Sequence, residues 1–237
     1  MPTPRFSVHC TALAEIATGV YDIYFEKPAG FTFTPGKFVL WDVPKVDAAT
    51  DIQPRSFSIA SLPSEPELRF IIKYLAGGRA SEWIKQQFKV GMEVSMQGPL
   101  GRFKLHPGEK DIILVCTGAG LGPFRPMIID ALQQGDRRRM DLVFGVRTEK
   151  DLFWTEEFEA LTKQHENFFL HLALSDPTPA WTGHRGRVQS LVALIAKDIA
   201  QKHVYACGSP IMTNDVKKHC LEEWGLTKQD VHVEGYI

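Results

Sequence analysis

Four short segments of the sequence combine residue types that bind phosphates and flat rings. The first half of the chain contains Arg55-Ser56-Phe57-Ser58 and Gly77-Gly78-Arg79-Ala80-Ser81. The second half contains Gly118-Ala119-Gly120-Leu121-Gly122-Pro123 and Cys207-Gly208-Ser209-Pro210-Ile211-Met212. Each half therefore has its own set of glycine turns and polar or soft side chains. Two such sets predict two nucleotide sites in one chain, and two nucleotides held together indicate redox chemistry.

The first set predicts a flavin site. Arg55 can make a bidentate contact with a diphosphate, Phe57 can cover one face of a tricyclic ring, and the Ser58 hydroxyl can donate to a ring atom. Gly77-Gly78 permits close backbone approach, and Ser81 is expected to cap a helix whose free N–H groups suit a pyrophosphate. A surface arginine, a core phenylalanine and a plain glycine turn would explain the same residues singly. Their combination at this spacing favours the flavin site.

The second set predicts a site for a pyridine dinucleotide. Gly118 and Gly120 lie between an apolar strand and a helix, where glycines let a diphosphate approach the backbone. Cys207 ends a later strand and either borders the nicotinamide or fills the core. Arg147 either reaches a phosphate or stays solvated in its loop. Ser175-Asp176 ends another strand, and an aspartate there bonds a ribose diol and repels a 2′-phosphate, which favours NADH over NADPH.

The elements expected around these residues form two domains. Strands punctuated by proline and glycine predict an antiparallel barrel or sandwich up to residue 105, with one helix at 81–88. After a polar linker at 106–110, strands and helices alternate, which predicts a doubly wound α/β domain with a parallel five-stranded sheet. Ligands of such a sheet bind at the carboxyl ends of its strands.

The sequence pattern gives approximate bounds for each element. The predicted strands are 20–25, 38–43, 56–60, 68–75 and 93–97 in the first domain, and 111–117, 140–146, 168–174, 203–207 and 231–234 in the second. The predicted helices of the second domain are 124–134, 151–165, 187–198 and 210–224.

Composition narrows the class of protein. The 237 residues carry a net charge of −1, so no bulk field favours nucleic acid or an anionic membrane. The four cysteines include no CxxC pair, so we expect no metal site and reduced thiols, as in a cytoplasmic protein. We also expect no signal peptide at the N-terminus and no membrane span.

The ordered motifs together resemble those of the ferredoxin–NADP reductase superfamily. Residues 55–58 are similar to its R-x-Y/F-S motif, 77–81 to GG-x-x-S, 118–125 to G-T-G-I-A-P-F-R, and 207–212 to C-G-x-P-x-M. The resemblance covers essentially the whole chain. It implies an N-terminal antiparallel Greek-key β-barrel that binds FAD (1–105), followed by an α/β domain that binds NAD(P)H (106–237).

The resemblance also implies roles for individual positions. Those expected to contact FAD are Arg55, Ser56, Phe57, Ser58, Ile72, Lys73, Gly78, Arg79, Ala80, Ser81 and Tyr236. Those expected to contact the dinucleotide are Thr117, Gly118, Ala119, Gly120, Pro123, Arg147, Ser175, Asp176, Cys207, Gly208 and Met212. Three of the residues near the reacting atoms, Ser58, Cys207 and Glu234, are expected to be catalytic.

The expected activity is hydride transfer from NAD(P)H to bound FAD, followed by electron transfer to an acceptor. No cluster-binding cysteines are appended, so we expect a separate acceptor, such as ferredoxin, flavodoxin, another redox protein or a small molecule. Two alternatives remain open at this point, a reductase that uses diffusing flavin as substrate and an electron-transfer subunit of a larger complex. Ala119 and Phe57 depart from the family pattern, because each lacks a hydroxyl that the family usually has there.

Overall fold

The computed structural model describes residues 3–236 and divides into two compact units. The first unit comprises the chain up to Leu105 together with Gly122–Asp130, and the second comprises His106–Leu121 and the chain from Ala131 onward. The first unit therefore includes a segment, 122–130, that lies beyond the expected boundary at residue 105. No helix among the described residues is both long and apolar enough to cross a membrane.

The first unit is built on a six-stranded antiparallel sheet with the order β4-β3-β6-β1-β2-β5. Its strands are β1 (Arg5–Ala17), β2 (Val20–Glu26), β3 (Phe38–Lys45), β4 (Ala48–Ser58), β5 (Glu67–Lys73) and β6 (Glu93–Leu100). The two edge strands also touch, so the sheet curls into a barrel. Aromatic rings fill its interior, with the Trp41 ring centroid 4.8 Å from that of Phe25 and 4.9 Å from that of Phe70.

Three features of this unit differ from expectation. Strand β1 was not predicted, although the alternation of buried Val8 and Cys10 with exposed neighbours is the pattern of a half-buried strand. Strand β4 begins well before residue 56, because it pairs with β3 along a long hairpin. Helix α1 spans Arg79–Gln86 and its N-cap is Gly78, so the prediction of Ser81 as the N-cap is wrong.

The second unit is built on a six-stranded parallel sheet with the order β10-β9-β8-β7-β11-β12. Its strands are β7 (Ile112–Thr117), β8 (Met140–Val146), β9 (Phe168–Leu174), β10 (His184–Arg185), β11 (His203–Gly208) and β12 (Val231–Gly235). All five predicted strands are present, and the two-residue β10 extends the sheet by one. The fold class is confirmed.

In the described part of the chain, four α-helices follow strands of the parallel sheet. They are α2 (Leu121–Gln133), α3 (Thr155–Gln164), α4 (Val188–Ile195) and α5 (Pro210–Glu222). Helix α3 begins later than predicted because Trp154 adopts a left-handed conformation with φ 58°, which a helix cannot include. Apolar side chains of α4 and α5, including Val192 and Val216, pack with Val115 and Ala206 of the sheet.

The strand order fixes where a ligand can bind to this sheet. From β7 the chain moves outward to β8 and β9, and it then returns to place β11 on the other side of β7. In open parallel sheets, ligands bind at the carboxyl ends of the strands where the order reverses. That point lies between the ends of β7 and β11, at Thr117 and Gly208.

Candidate flavin and nicotinamide sites

Strand β4 carries the predicted flavin motif at the edge of the antiparallel sheet. Arg55 is in register with Trp41 and Phe57 with Val39, so these two motif side chains lie on the face of the buried core. The Phe57 ring centroid lies 4.5 Å from that of Trp41, which holds the half-buried ring in place. Arg55 and Phe57 therefore share one surface.

Alternation along the strand assigns Ser56 and Ser58 to the opposite face. Because β4 is an edge strand, its outer rim leaves backbone donors and acceptors unpaired within the sheet. A planar ring lying along this rim could contact Phe57 on one side and Ser58, the last residue of the strand, on the other. The sequence analysis assigned Phe57 and Ser58 to one site, but it did not show that one ring can contact both only at the strand edge.

The Arg55 guanidinium bonds only neutral oxygens among its described partners. Its nitrogens donate to the Pro54 carbonyl and to Gln53 Oε1, each at 2.9 Å. No carboxylate neutralises it there, so its charge is available to an anionic ligand.

The start of helix α1 supplies the backbone donors of the predicted pyrophosphate site. The N–H groups of the first helical residues, Arg79, Ala80 and Ser81, have no acceptor within the helix. Ser81 is buried, and its Oγ accepts from the Leu75 N–H at 2.9 Å, so its hydroxyl fixes the preceding loop instead of capping the helix. A Cβ at Gly78 would lie 3.0 Å from the Leu75 carbonyl oxygen, so this loop leaves little room for a side chain.

The remaining predicted flavin residues of this unit have internal partners. Arg79 donates to the Asp51 carbonyl at 2.6 Å and to its carboxylate at 2.9 Å, which ties the start of α1 to β4. Asp51 and Arg55 are four residues apart, so they share a face of that strand. Lys73 bonds the Thr18 carbonyl, and Ile72 is buried. The free N–H groups, the Arg55 cation and the Phe57 ring together fit the diphosphate and ring of FAD.

Glycines bring the ends of β7 and β11 close together in the second unit. A Cβ at Gly120 would lie 2.2 Å from the Cys207 carbonyl oxygen, and one at Gly208 would lie 2.6 Å from Thr117 Oγ1. Gly118 has φ +51° and its Cβ position faces open space. Gly120 and Gly208 are therefore required by packing within the chain, whereas Gly118 leaves an open approach to the backbone that fits the diphosphate of a dinucleotide.

Cys207 lies at the end of β11 and is fully buried. Burial, with a contribution from the nearby Glu234 carboxylate, raises the pKa of its thiol well above the usual value. Glu234 is its register partner on β12, and the Tyr236 N–H donates to the Gly208 carbonyl at 2.8 Å. The switch point thus brings the thiol, the carboxylate and Tyr236 to one edge of the sheet, with the thiol held neutral.

Arg147 and Asp176 form an ion pair at the ends of β8 and β9. Arg147 Nη2 lies 3.1 Å from Asp176 Oδ2, and both side chains are largely exposed. The Asp176 N–H donates to the Arg147 carbonyl at 2.8 Å, and the Ser175 N–H donates to the Val146 carbonyl at 3.1 Å. Sequence reasoning identified both charged residues without pairing them.

The other residues of the predicted dinucleotide site are buried. Ala119 is 8% exposed and Met212 is 5% exposed. Met212 packs in the core, and its N–H donates to Ser209 Oγ at 3.3 Å, which caps α5. Pro123 is buried in α2, within the segment that packs with the first unit.

The sequence analysis missed two residues beside the flavin motif, Glu82 and Tyr74. The carboxylate of Glu82 accepts from the Gly77 N–H at 3.0 Å and from the Tyr74 hydroxyl at 2.7 Å. An acidic residue in the first turn of a helix is a recognisable signal, since it complements the helix dipole. Its partners in the preceding loop are set by folding and have no such signal.

Two oxidoreductase families match successive parts of the chain. Residues 16–105 match the oxidoreductase FAD-binding domain, and residues 114–218 match the oxidoreductase NAD-binding domain. The ferredoxin–NADP reductase B of Sorangium cellulosum is 30% identical over 98% of this chain and 97% of its own length. The chain belongs to the ferredoxin–NADP reductase superfamily and is an NAD(P)H-dependent flavoprotein reductase.

Longer relatives are reductase components of oxygenases. The phenol 2-monooxygenase reductase component of Pseudomonas sp. is 30% identical, and the match covers 95% of this chain and 64% of that protein. The toluate 1,2-dioxygenase electron transfer component of Pseudomonas putida is 31% identical, with 86% and 59% covered. The chain therefore spans about three fifths of each of these two relatives.

Solved structures show the same fold at lower identity. The FAD/NAD-binding domain of nitric oxide dioxygenase from Vibrio cholerae aligns with a TM-score of 0.86 at 19% identity, covering 99% of both chains. A ferredoxin–NADP⁺ reductase from Neisseria gonorrhoeae, solved with bound FAD and NADP, aligns with a TM-score of 0.83 at 18% identity, covering 98% of both.

Proposed function

We propose that this chain accepts a hydride from NADH onto bound FAD and passes the electrons to a separate ferredoxin or oxygenase component. The observation that carries the proposal is the presence of two donor sets. One is the edge strand β4 with the start of α1, and the other is the glycine-lined switch point of the parallel sheet. FAD, when bound, supplies the step from a two-electron donor to a one- or two-electron acceptor.

Residues of the first unit bind and orient the flavin in this proposal. The Arg55 guanidinium and the N–H groups at the start of α1 would hold the diphosphate, because the first is a cation bonded to neutral oxygens and the second lie at the positive end of the helix dipole. Phe57, which packs against Trp41, would cover one face of the ring. Ser58, the last residue of β4, would offer its hydroxyl to a polar atom of the ring.

Residues of the second unit bind and orient the nicotinamide. Gly118 admits the diphosphate to the backbone, and the neutral Cys207 thiol with Gly208 shapes the floor of the pocket. Glu234 adds a carboxylate beside Cys207. A negative charge there would stabilise the positive charge that develops on the nicotinamide as the hydride leaves.

The preference for NADH rests on Asp176. Its carboxylate lies at the end of β9, where an acidic residue bonds the ribose diol and opposes a 2′-phosphate. Arg147 is the nearby cation that a 2′-phosphate would otherwise use, and Asp176 already pairs with it.

Anaerobic stopped-flow reduction tests the proposal. The purified protein is expected to be yellow, to bleach rapidly when mixed with NADH, and to bleach several-fold more slowly with NADPH. Reoxidation by ferredoxins, oxygenase components, haem proteins and quinones then identifies the acceptor. A colourless protein that takes up no FAD when supplied with it would refute the flavin site.

The hydrogen bond from Gly77 to Glu82 favours one alternative function, that of a reductase that releases its flavin as a substrate or product. The Glu82 carboxylate occupies the Gly77 N–H in the loop expected to grip the diphosphate. Gel filtration of the FAD-loaded protein separates the two functions, since FAD stays with the protein in the first and is lost entirely in the second.

A further inference from the structure

Glu82 already binds the glycine turn that precedes helix α1. Its Oε1 accepts from the Gly77 N–H at 3.0 Å and from the Tyr74 hydroxyl at 2.7 Å, and its Oε2 accepts from Gln86 Nε2 at 2.8 Å. The hydrogen bonds from Tyr74 and Gly77 lower the pKa of Glu82 below its usual value. The Glu82 carboxylate is therefore ionised at neutral pH.

This charge lies close to the donors expected to hold the flavin diphosphate. Gly77 and Arg79 are two residues apart, so at most about 7 Å of chain separates the N–H that Glu82 occupies from the first free N–H of the helix. Arg79, the cation at the first helical position, is engaged by Asp51. Lys85 lies over the Tyr74 ring, 4.7 Å from its centroid. The carboxylate and a bound diphosphate would thus repel each other across a short, solvent-exposed distance.

We propose that Glu82 limits the affinity of this site for phosphorylated flavins. Glu82 keeps the turn folded when no flavin is bound, and it withholds one N–H and adds one like charge when a diphosphate binds. The inference rests on the proposed flavin site. In this inference Glu82 lowers the affinity of the site for the phosphates and leaves its affinity for the ring unchanged.

The test is to replace Glu82 with glutamine and measure flavin binding by fluorescence quenching. Glu82→Gln keeps a carbonyl acceptor for Gly77 and Tyr74 but removes the charge. At low ionic strength the Kd for FAD is expected to fall about three- to ten-fold, as the Coulomb energy of a diphosphate some 7 Å from one charge in water predicts. The Kd for FMN, whose phosphate carries a similar charge, should fall by a similar factor, and the Kd for riboflavin, which has no phosphate, should stay within about two-fold.

Two control variants separate charge from structure. Glu82→Asp keeps the charge and should not tighten FAD binding. Glu26→Gln removes a carboxylate that likewise accepts a backbone N–H, that of His9, at the far end of the β2–β5 ladder from Lys73. That position is roughly 20 Å along the strand, where the Coulomb energy in water is about a third of that at 7 Å. The Kd of this variant for FAD should therefore change by less than about two-fold.

Each outcome decides between the inference and the proposed function. If the wild type binds no FAD at all, the proposed flavin site is wrong. If the wild type binds FAD and Glu82→Gln binds it no more tightly, only the role of Glu82 is wrong. Equal tightening of riboflavin and FAD would also overturn the inference, because the effect would then not act through phosphate. Thermal melting of each flavin-free variant checks that the fold is kept.

Discussion

Arg125 shows how one buried charge fixes the segment 122–130 to the first unit. It is 6% exposed and donates to the Glu65 carboxylate at 2.9 Å and to the Ala60 carbonyl at 3.1 Å. Removing one partner of a buried pair leaves the other uncompensated and costs about 3–5 kcal/mol. Because Glu65 is 30% exposed and still accepts from the Leu62 N–H, we expect Arg125→Met to lower the free energy of unfolding by less than this, about 1–3 kcal/mol.

Urea unfolding followed by circular dichroism measures this loss. Glu65→Gln leaves the buried Arg125 guanidinium without its counter-ion, so it should cost at least as much stability as Arg125→Met. The account of Arg125 fails if both variants are as stable as the wild type.

Asp176 makes a second prediction at the level of a single residue. In Asp176→Asn the charge that opposes a 2′-phosphate is gone, and the exposed Arg147 guanidinium becomes available to it. We expect kcat/KM for NADPH to rise about ten-fold, equivalent to about 1.4 kcal/mol, with little change for NADH. The measurement is steady-state reduction of an artificial acceptor with each coenzyme. Arg147→Met in the same background should abolish the gain, and an unchanged coenzyme ratio in Asp176→Asn would remove Asp176 from the adenosine site.

At the level of elements, Gly118 and Gly120 belong to one turn but differ in the space available for a side chain. Gly120→Ala would force a Cβ to 2.2 Å from the Cys207 carbonyl oxygen, so the ends of β7 and β11 must separate. Gly118→Ala meets no atom within 4 Å and suffers only the strain of its positive φ. That strain costs about 1–2 kcal/mol, so we expect Gly120→Ala to lose clearly more stability than Gly118→Ala.

Coenzyme binding should separate these two variants in a second way. Gly118→Ala is expected to remain folded and to bind NADH several-fold more weakly, because its Cβ fills the approach to the backbone. Thermal melting and NADH titration are the two measurements. If Gly118→Ala binds NADH as the wild type does, the dinucleotide does not approach this turn.

Helix α1 explains why one part of the flavin site could not be predicted. Glycine, serine and a following apolar pattern correctly indicated a helix near residue 80. They could not show that the helix starts at Arg79, or that Ser81 bonds back to Leu75. A serine hydroxyl can either cap a helix or fix a loop, and only the path of the chain between Tyr74 and Gly78 decides which.

The acid sensitivity of the whole molecule should arise far from the proposed chemistry, at the amino ends of β11 and β12. The His232 ring stacks between His106, at 4.3 Å, and Tyr205, at 4.4 Å. Burial, with neighbouring charges as a smaller cause, lowers the pKa of His232 to about 4. The charged or titratable groups around it are His106, His203, Asp230, Lys110 and Arg138.

The sign of the pH dependence follows from that lowered pKa. Between its ordinary pKa of 6.5 and about 4, the unfolded chain binds a proton at His232 that the folded chain does not. Stability is therefore full above pH 6.5 and falls as the pH is lowered to 4, by up to about 3 kcal/mol. His232→Phe keeps the stack and should flatten this fall. Urea midpoints at pH 7 and pH 5 measure it, and an equally steep fall in the variant would assign the acid sensitivity elsewhere.

The sequence by itself determined the class of each half and most of its strands. Local signals suffice for this, because continuous apolar runs, glycine turns and motif spacing are properties of neighbouring residues. The parallel strands 140–146 and 168–174 were predicted with their observed bounds.

The tertiary structure alone decided which charged groups pair. Arg147 pairs with Asp176, Arg79 with Asp51 and Arg125 with Glu65, and Glu82 accepts a hydrogen bond from the Gly77 N–H. Apart from the last, these partners are more than 25 residues apart in the chain. Which charge meets which depends on strand order and register, and these are fixed only when the whole core packs.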